Sequence, residues 1–225
     1  MGGRKLYSLL KEQIAALGYQ IGRDKFFDLL RDNGLLVERR RKYARTTQSF
    51  HRFWVHPNLL EQYRPARANE VWVCDITYLR FCSGFMYLFL LTDAYSRMIV
   101  GWELSEHLGV SAAITALTMA LKQCRLTTGL IHHSDRGFQY CSPQYVSILQ
   151  SRGIRISMAE AGNCYQNAMA ERVNGILKAE YALDNTFTSK TNIYKAVKQA
   201  IYLYNNLRPH WALGMKIPAH VHRAA

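Results

Sequence analysis

Acidic side chains are scarce in the larger part of this 225-residue chain. From residue 71 onward there are nine, Asp75, Asp93, Glu103, Glu106, Asp135, Glu160, Glu171, Glu180 and Asp184, against fifteen Lys and Arg. Three of them stand where a carboxylate needs a reason. Asp75 lies inside the apolar run Val71-Trp72-Val73-Cys74-Asp75-Ile76-Thr77-Tyr78-Leu79-Arg80-Phe81, where an ionised group is costly unless it is paired or holds a cation. Asp135 follows Leu130-Ile131-His132-His133-Ser134, at the C-terminal end of a short strand, the end where ligands collect in open α/β sheets. Glu171 stands in Asn167-Ala168-Met169-Ala170-Glu171-Arg172, among small residues that let a helix approach a sheet closely. Singly, each has an ordinary structural reading: a buried acceptor, a turn residue in Ser134-Asp135-Arg136-Gly137, half of a surface ion pair. Gathered, they suit hard divalent cations, because Mg²⁺ takes oxygen ligands and keeps several waters. Two such ions about 3.5–4 Å apart can serve an in-line displacement at phosphorus.

The elements that must position these acids are legible from periodicity. Residues 71–81 are rich in β-branched and aromatic side chains and read as a strand. Ser83-Gly84 is a turn, and Phe85 to Leu91 and Met98 to Leu104 are two further strands. Short connections imply an antiparallel meander. Ser111 to Leu121 reads as a helix, Gly129 to His132 as a short buried strand, and Pro143 to Leu149 as a helix capped by Ser142. Ile154 to Ser157 is a strand, and Asn167 to Tyr181 and Thr191 to Leu207 are helices. Three antiparallel strands followed by alternating helix and strand describe an α/β layer fold of the ribonuclease H type, a mixed sheet flanked by helices. Asp93, in Thr92-Asp93-Ala94-Tyr95-Ser96-Arg97, reads as an Asx-turn and not as a metal ligand.

A smaller module precedes this core. Leu6, Leu9, Leu10, Ile14 and Leu17 recur at helical spacing up to Gly18, and Phe26, Phe27, Leu29 and Leu30 up to Asn33-Gly34. The pair resembles a helix-turn-helix with Arg23 and Lys25 opening its second helix; a plain helical hairpin fits the same pattern. Arg39-Arg40-Arg41-Lys42-Tyr43 combines cations with an aromatic, which suits phosphate contact and base stacking. The map is therefore a basic helical module over 1–45, a linker over 46–70 carrying Pro57 and Pro65, and a core over 71–225. The net charge of +13 points to a polyanionic partner such as DNA. No apolar run approaches the ~18–20 residues of a membrane span. The five cysteines are scattered without a C-x-x-C, against a disulfide scaffold or zinc finger and for a cytoplasmic setting.

Thirty-five residues lie between Asp135 and Glu171. An Asp on a first strand, a second Asp, then that interval and a Glu resembles the retroviral integrases and the related insertion-sequence transposases. The flanks are similar to the branch of insertion sequences with two reading frames: Trp72-Val73-Cys74-Asp75-Ile76-Thr77-Tyr78, His133-Ser134-Asp135-Arg136-Gly137, Gly162-Asn163-Cys164-Tyr165-Gln166-Asn167-Ala168 and Tyr204-Asn205-Asn206-Leu207-Arg208-Pro209-His210. Gln166 and Leu207 depart from the usual pattern, where Asp and Glu are common. The resemblance implies a metal-dependent DDE transposase that cuts and joins DNA, with Asp75 shared by two Mg²⁺ (or Mn²⁺) ions and Asp135 and Glu171 each completing one site. It implies DNA contact by Lys178, two helical turns after Glu171, and less directly by Arg172, about 100° round the helix. His133 and Asn167 are candidate positioning residues. A multimer on DNA is expected, together with an upstream-frame helix-turn-helix protein, because the N-terminal module here is short. A nuclease that cuts without joining and a non-catalytic DNA-binding remnant are the competing functions; the intact acidic triad and the C-terminal motif favour the transposase.

Overall fold

A computed structural model of the chain describes residues 1–36, 53–124, 127–160 and 167–225. It divides into two compact units, Met1–Tyr43 and Ala44–Ala225.

The first unit is a helical hairpin. Helices α1 (Gly3–Ala16) and α2 (Arg23–Asp32) meet through Tyr7 and Phe26, whose ring centroids are 5.3 Å apart. Each helix ends where its sequence places a left-handed residue. Gly18 has φ +85° and Gly34 φ +64°, and the following amides, Tyr19 and Leu35, reach back to the Ile14 and Leu30 carbonyls. A residue with a Cβ would be strained at either point. Phe26 and Leu30 are the buried core of this small unit.

The second unit is built on a five-stranded sheet in the order β3-β2-β1-β4-β5. Strands β1 (Val71–Phe81), β2 (Gly84–Asp93) and β3 (Ile99–Ser105) form the antiparallel meander. Strands β4 (Ile131–Ser134) and β5 (Arg155–Met158) add to it in parallel. Side chains alternate across the pleat, so each strand serves two cores. On one face, Trp72, Cys74, Phe89 and Leu91 pack with α3 (Val110–Gln123) and α5 (Pro143–Ser151). On the other, Leu79, Leu88 and Leu90 pack with α6 (Ala168–Glu180) and α7 (Lys190–Asn206). Helix α3 lies so close to β3 that a Cβ on Gly101 would fall 2.2 Å from the Ala116 carbonyl oxygen, which leaves room only for glycine.

The elements agree with the sequence expectation in type and order, with two additional α-helices, α4 (Phe138–Cys141) and α8 (Pro218–Arg223), beside a 3-10 turn at Trp211–Leu213. At four and six residues both are too short to display a helical period. Residues 53–70 contain no helix or strand, yet they are tied to the sheet. Leu59 and Leu60 pack on Val71, Val73 and Ile131, the Leu59 amide donates to Ser157 Oγ at 2.8 Å, and Met158 N donates to the Pro57 carbonyl. The remainder of the expected linker, residues 46–52, lies outside the described residues.

Candidate active site

Pairing of β1 with β4 aligns Trp72 with His132 and Val73 with His133. The same offset, carried two residues further, sets Asp75 beside Asp135. By pleat parity both belong to the face of Val71, Val73 and Ile131, which is the face covered by α6 through the small residue Ala170. Helix α6 carries the third acid, Glu171, in its first turn. The pairing of parallel strands and the helix laid across them thus bring the three acids to one region.

Two asparagines lock this arrangement. Asn167, the N-cap residue of α6, donates from Nδ2 to the Cys74 carbonyl at 3.1 Å. Asn174 donates from Nδ2 to Asp75 Oδ2 at 2.7 Å. Asn167, Glu171, Asn174 and Lys178 fall at helical spacing along one stripe of α6. Asp135 is steadied differently: its Oδ1 accepts from the Gly137 amide at 3.0 Å. Gly137 is tight as well, since a Cβ there would sit 3.0 Å from that same Oδ1 and from Gln139 Oε1.

The electrostatics show how the acids feel one another. Burial pushes the Asp75 carboxyl up to about 8, the negative charge of Asp135 adds to the rise, and Glu171 contributes a smaller part. The Ile76 amide and Asn174 pull the other way and are outweighed. Lys178 is partly buried, and burial lowers its pKa against the opposing pull of Asp184 and Asp75. Its charge is therefore felt at the acids, as its place on the stripe requires. Arg172 is exposed on the adjoining face. Among the described residues, no group of three or more His, Cys, Asp or Glu is placed close enough to hold a metal ion.

His133 and Asp93 have defined partners. His133 is fully buried, and its Nδ1 pairs with Ser157 Oγ at 2.8 Å. Because that oxygen accepts from Leu59 N, its hydroxyl proton is available to the imidazole. Asp93 Oδ1 accepts from Ser96 N and Oγ, both at 2.7 Å, and Oδ2 from Asn69 N at 2.7 Å. Asp93 is thus the expected Asx-turn. Burial opposes its ionisation, but His222, Ser96 and Asn69 hold its carboxyl below the usual range.

The C-terminal motif is a clamp. Asn205 exchanges two 2.9 Å hydrogen bonds with the backbone of Ile99 in β3. Arg208 grips Glu180 of α6 through two 2.8 Å bonds, with Tyr204 and His210 packed edge to face beside it. Leu207 of that motif is exposed, whereas Gln166 lies outside the described residues. In the N-terminal unit Arg23 and Lys25 are exposed in the first turn of α2, and Arg23 pairs with Asp24 at 2.9 Å. Arg39, Arg40, Arg41 and Lys42 lie outside the described residues. The sequence reading did not single out Asn174. Its signal was available: a polar residue three positions after Glu171 and four before Lys178.

Sequence comparison agrees with this geometry. Integrase core domain families match residues 65–164 and residues 152–218. An uncharacterized 31 kDa protein of insertion element IS600 from Shigella sonnei is 38% identical over 212 residues, 93% of this chain and 78% of that protein. Transposase InsF of insertion sequence IS3A from Escherichia coli (strain K12) is 35% identical over 209 residues, 92% of this chain and 73% of the relative. The chain belongs to the insertion-sequence transposases with an integrase core. As a DDE-type polynucleotidyl transferase of that family, it acts in DNA transposition. Its fold recurs in the catalytic core of HTLV-2 integrase, solved in complex with magnesium, at a TM-score of 0.57 and 21% identity, covering 71% of this transposase and 99% of that chain. A chain of the simian T-cell lymphotropic virus intasome, solved in complex with PP2A regulatory subunit B56 gamma, gives 0.60 at 21% identity, covering all of this chain and 75% of that one. Among the described residues of the transposase, no helix is long and apolar enough to cross a membrane.

Proposed function

We propose that this transposase cuts and joins DNA at the site formed by Asp75, Asp135 and Glu171, with divalent cations, Mg²⁺ or Mn²⁺, held by these three carboxylates. The observation that carries the reading is the convergence on Asp75: Asp135 just beyond the end of β4, its charge acting on Asp75, α6 hydrogen-bonded to Asp75 through Asn174, and a carboxyl raised to about 8 by burial and its acidic neighbours. Such a group is in electrostatic deficit, and a cation offsets it. The donor set fits: all the ligands are oxygens, and an open arrangement suits Mg²⁺, which is held by few carboxylates and keeps its waters. Two bound ions supply activation of the attacking oxygen and stabilisation of the leaving one.

The chain's own residues divide the remaining work. Asp75 would serve both ions, and Asp135 and Glu171 would each help to hold one. Asn174 and Asn167 fix α6 against β1. Lys178 meets a phosphate of the DNA end, and Arg172 a more distant one. Arg23, Lys25, Arg39, Arg40, Arg41 and Lys42 of the first unit hold flanking DNA through its backbone. Phosphate contacts position a protein without reading sequence, and two short helices read few base pairs. A multimer joining two ends, with an upstream-frame helix-turn-helix protein to recognise them, completes the machine in the bacterial cytoplasm.

The decisive experiment is a strand-transfer assay with the flanking ends of the encoding element. Joined product that appears with Mg²⁺ or Mn²⁺ and disappears with chelator is expected; cleavage without any joining would identify a simple nuclease. Replacing Arg39, Arg40, Arg41 and Lys42 together by Ala should flatten the salt dependence of duplex binding by about 0.9 in log–log slope per lost contact. An unchanged slope would remove that run from the DNA interface.

A further inference from the structure

Beside Asp75 the transposase holds two buried polar atoms that lack partners among the described residues. They belong to Asn167 and Asn174, which are 4% and 6% exposed. In both, the Oδ1 atom is buried and accepts no hydrogen bond from any described residue. Buried polar atoms are nearly always satisfied, and an exception calls for an explanation such as a water or an ion. An unmet buried acceptor is unfavourable, and here two occur on one helix.

Their placement narrows the explanation. The amide nitrogens are committed to β1, one to the Cys74 carbonyl and the other to Asp75 Oδ2. A carbonyl oxygen accepts only, so Asn167 must turn its NH₂ group toward β1, and a carboxylate ionised by a bound cation imposes the same on Asn174. The carboxamide oxygens are what remains. Asn167 stands four residues before Glu171 and Asn174 three residues after it, so the two oxygens flank the acid along the α6 stripe. What such oxygens lack is a donor, and among the described residues none is supplied.

A hydrated divalent cation brings donors. Mg²⁺ retains several of its waters when bound by a few carboxylates, and those waters point their hydrogens outward, made more acidic by the charge. We infer that Asn167 and Asn174 are acceptors for water on the cation held by Asp75 and Glu171, orienting the hydrated ion without adding negative charge to a site already crowded with it. This inference rests on the reading of the triad as a metal site. Each asparagine then serves twice, its nitrogen fixing α6 to β1 and its oxygen fixing the water shell. A third acid at either position would bind the ion itself and displace that shell.

The test is Mn²⁺ binding to the full chain without DNA, followed by the electron paramagnetic resonance signal of free Mn²⁺, with the fold monitored by circular dichroism. Groups that orient a metal's inner ligands typically contribute about 10–100-fold to affinity, so Asn167→Ala and Asn174→Ala should each weaken binding within that range. Asp75→Asn is the control for the site. If Asp75→Asn weakens binding and both asparagine variants bind like the wild type, the inference falls and the triad stands. If Asp75→Asn also binds like the wild type, or the wild type binds no Mn²⁺, both fall. Where an alanine variant unfolds, Asn167→Ser and Asn174→Ser decide, because a hydroxyl keeps a donor for β1 but withdraws the carboxamide oxygen and adds no charge. Weakened binding supports the inference; binding as tight as the wild type shows that the carboxamide oxygens hold no water of the ion and overturns it.

Discussion

Neighbouring residues of β1 face two different worlds. Asp75, its own pKa raised, looks toward α6, Asp135 and Glu171 and the unmet asparagine oxygens. Cys74, one residue earlier, looks the other way, into a cluster of neutral polar groups around His132, whose Nδ1 is itself buried without a partner among the described residues. Its Sγ lies 2.9 Å from His132 Nε2, which also meets the Tyr145 hydroxyl at 2.8 Å, with Tyr140 packed edge to face on Tyr145. Both faces are polar, but they handle charge in opposite ways. Burial, with His133 adding a smaller part, drives the His132 ring down to about 3, so that the rear network stays neutral. On the front the same sheet gathers acids whose charges oppose one another. A period of two residues is enough to place a neutral polar cluster directly behind the acids proposed to hold the cations.

The largest expected break in this contrast is functional. Asp75→Asn, Asp135→Asn and Glu171→Gln should each bring strand transfer in Mg²⁺ below detection while circular dichroism remains that of the folded chain. Full activity in any one of them would remove that residue from the site.

The next effect concerns pH. A carboxyl whose pKa climbs from 3.8 to about 8 on folding holds its proton more tightly in the folded chain. Its contribution is therefore most favourable in acid, and stability is lost as pH rises through that window. Metal-free wild type should show this loss in urea titrations at several pH values, Asp75→Asn should show less of it, and added Mg²⁺ should suppress it. Equal pH slopes in the wild type and Asp75→Asn would mean that the front face carries no such strain.

His132 should respond with the opposite sign. Its pKa falls from 6.5 to about 3 on folding, so the unfolded chain takes up a proton that the folded chain refuses. Stability is then lost as pH drops from 6.5 toward 3. His132→Gln should flatten the acid limb of the same titrations, whatever its cost at neutral pH. An acid limb as steep as that of the wild type would dissociate the rear network from acid unfolding. The smallest effect belongs to Tyr145→Phe, which deletes one hydrogen bond to a ring that keeps its contact with Cys74. About 1 kcal/mol of stability should go, with strand-transfer rates unchanged once the protein is folded; a strongly reduced rate would show that the two faces are coupled.

The front face was the more legible of the two. Asp75 and Asp135 stood out because acids are few and one of them interrupts an apolar strand, and the strands themselves follow from alternation. Glu171 depended on its spacing from Asp135. Asn174 was hidden because an asparagine within a helix looks like any polar residue until the opposite strand is in place. The rear network was hidden for the same reason: Cys74, His132 and Tyr145 come from separate segments, and the sheet alone brings them together. Residues 53–60 lack any periodicity, so their attachment to β4 and β5 through Ser157 could not be read from pattern. The motif ending in Arg208-Pro209-His210 was visible as a signature, but its work, holding α7 and α6 in place, became clear only through its partners Ile99 and Glu180.

Asn205 carries a consequence for how these molecules behave toward one another. Strand β3 ends the sheet, with β2 as its neighbour on one side. A bare edge is a template on which a second chain can add its own strand. By returning both a donor and an acceptor to Ile99, one carboxamide imitates the next strand for the length of a single residue. The row of backbone groups that a stray chain could read is shortened at its start, and a helix is left standing in the way. A protein proposed to gather copies of itself on DNA thereby gains some protection against gathering them by the wrong surface.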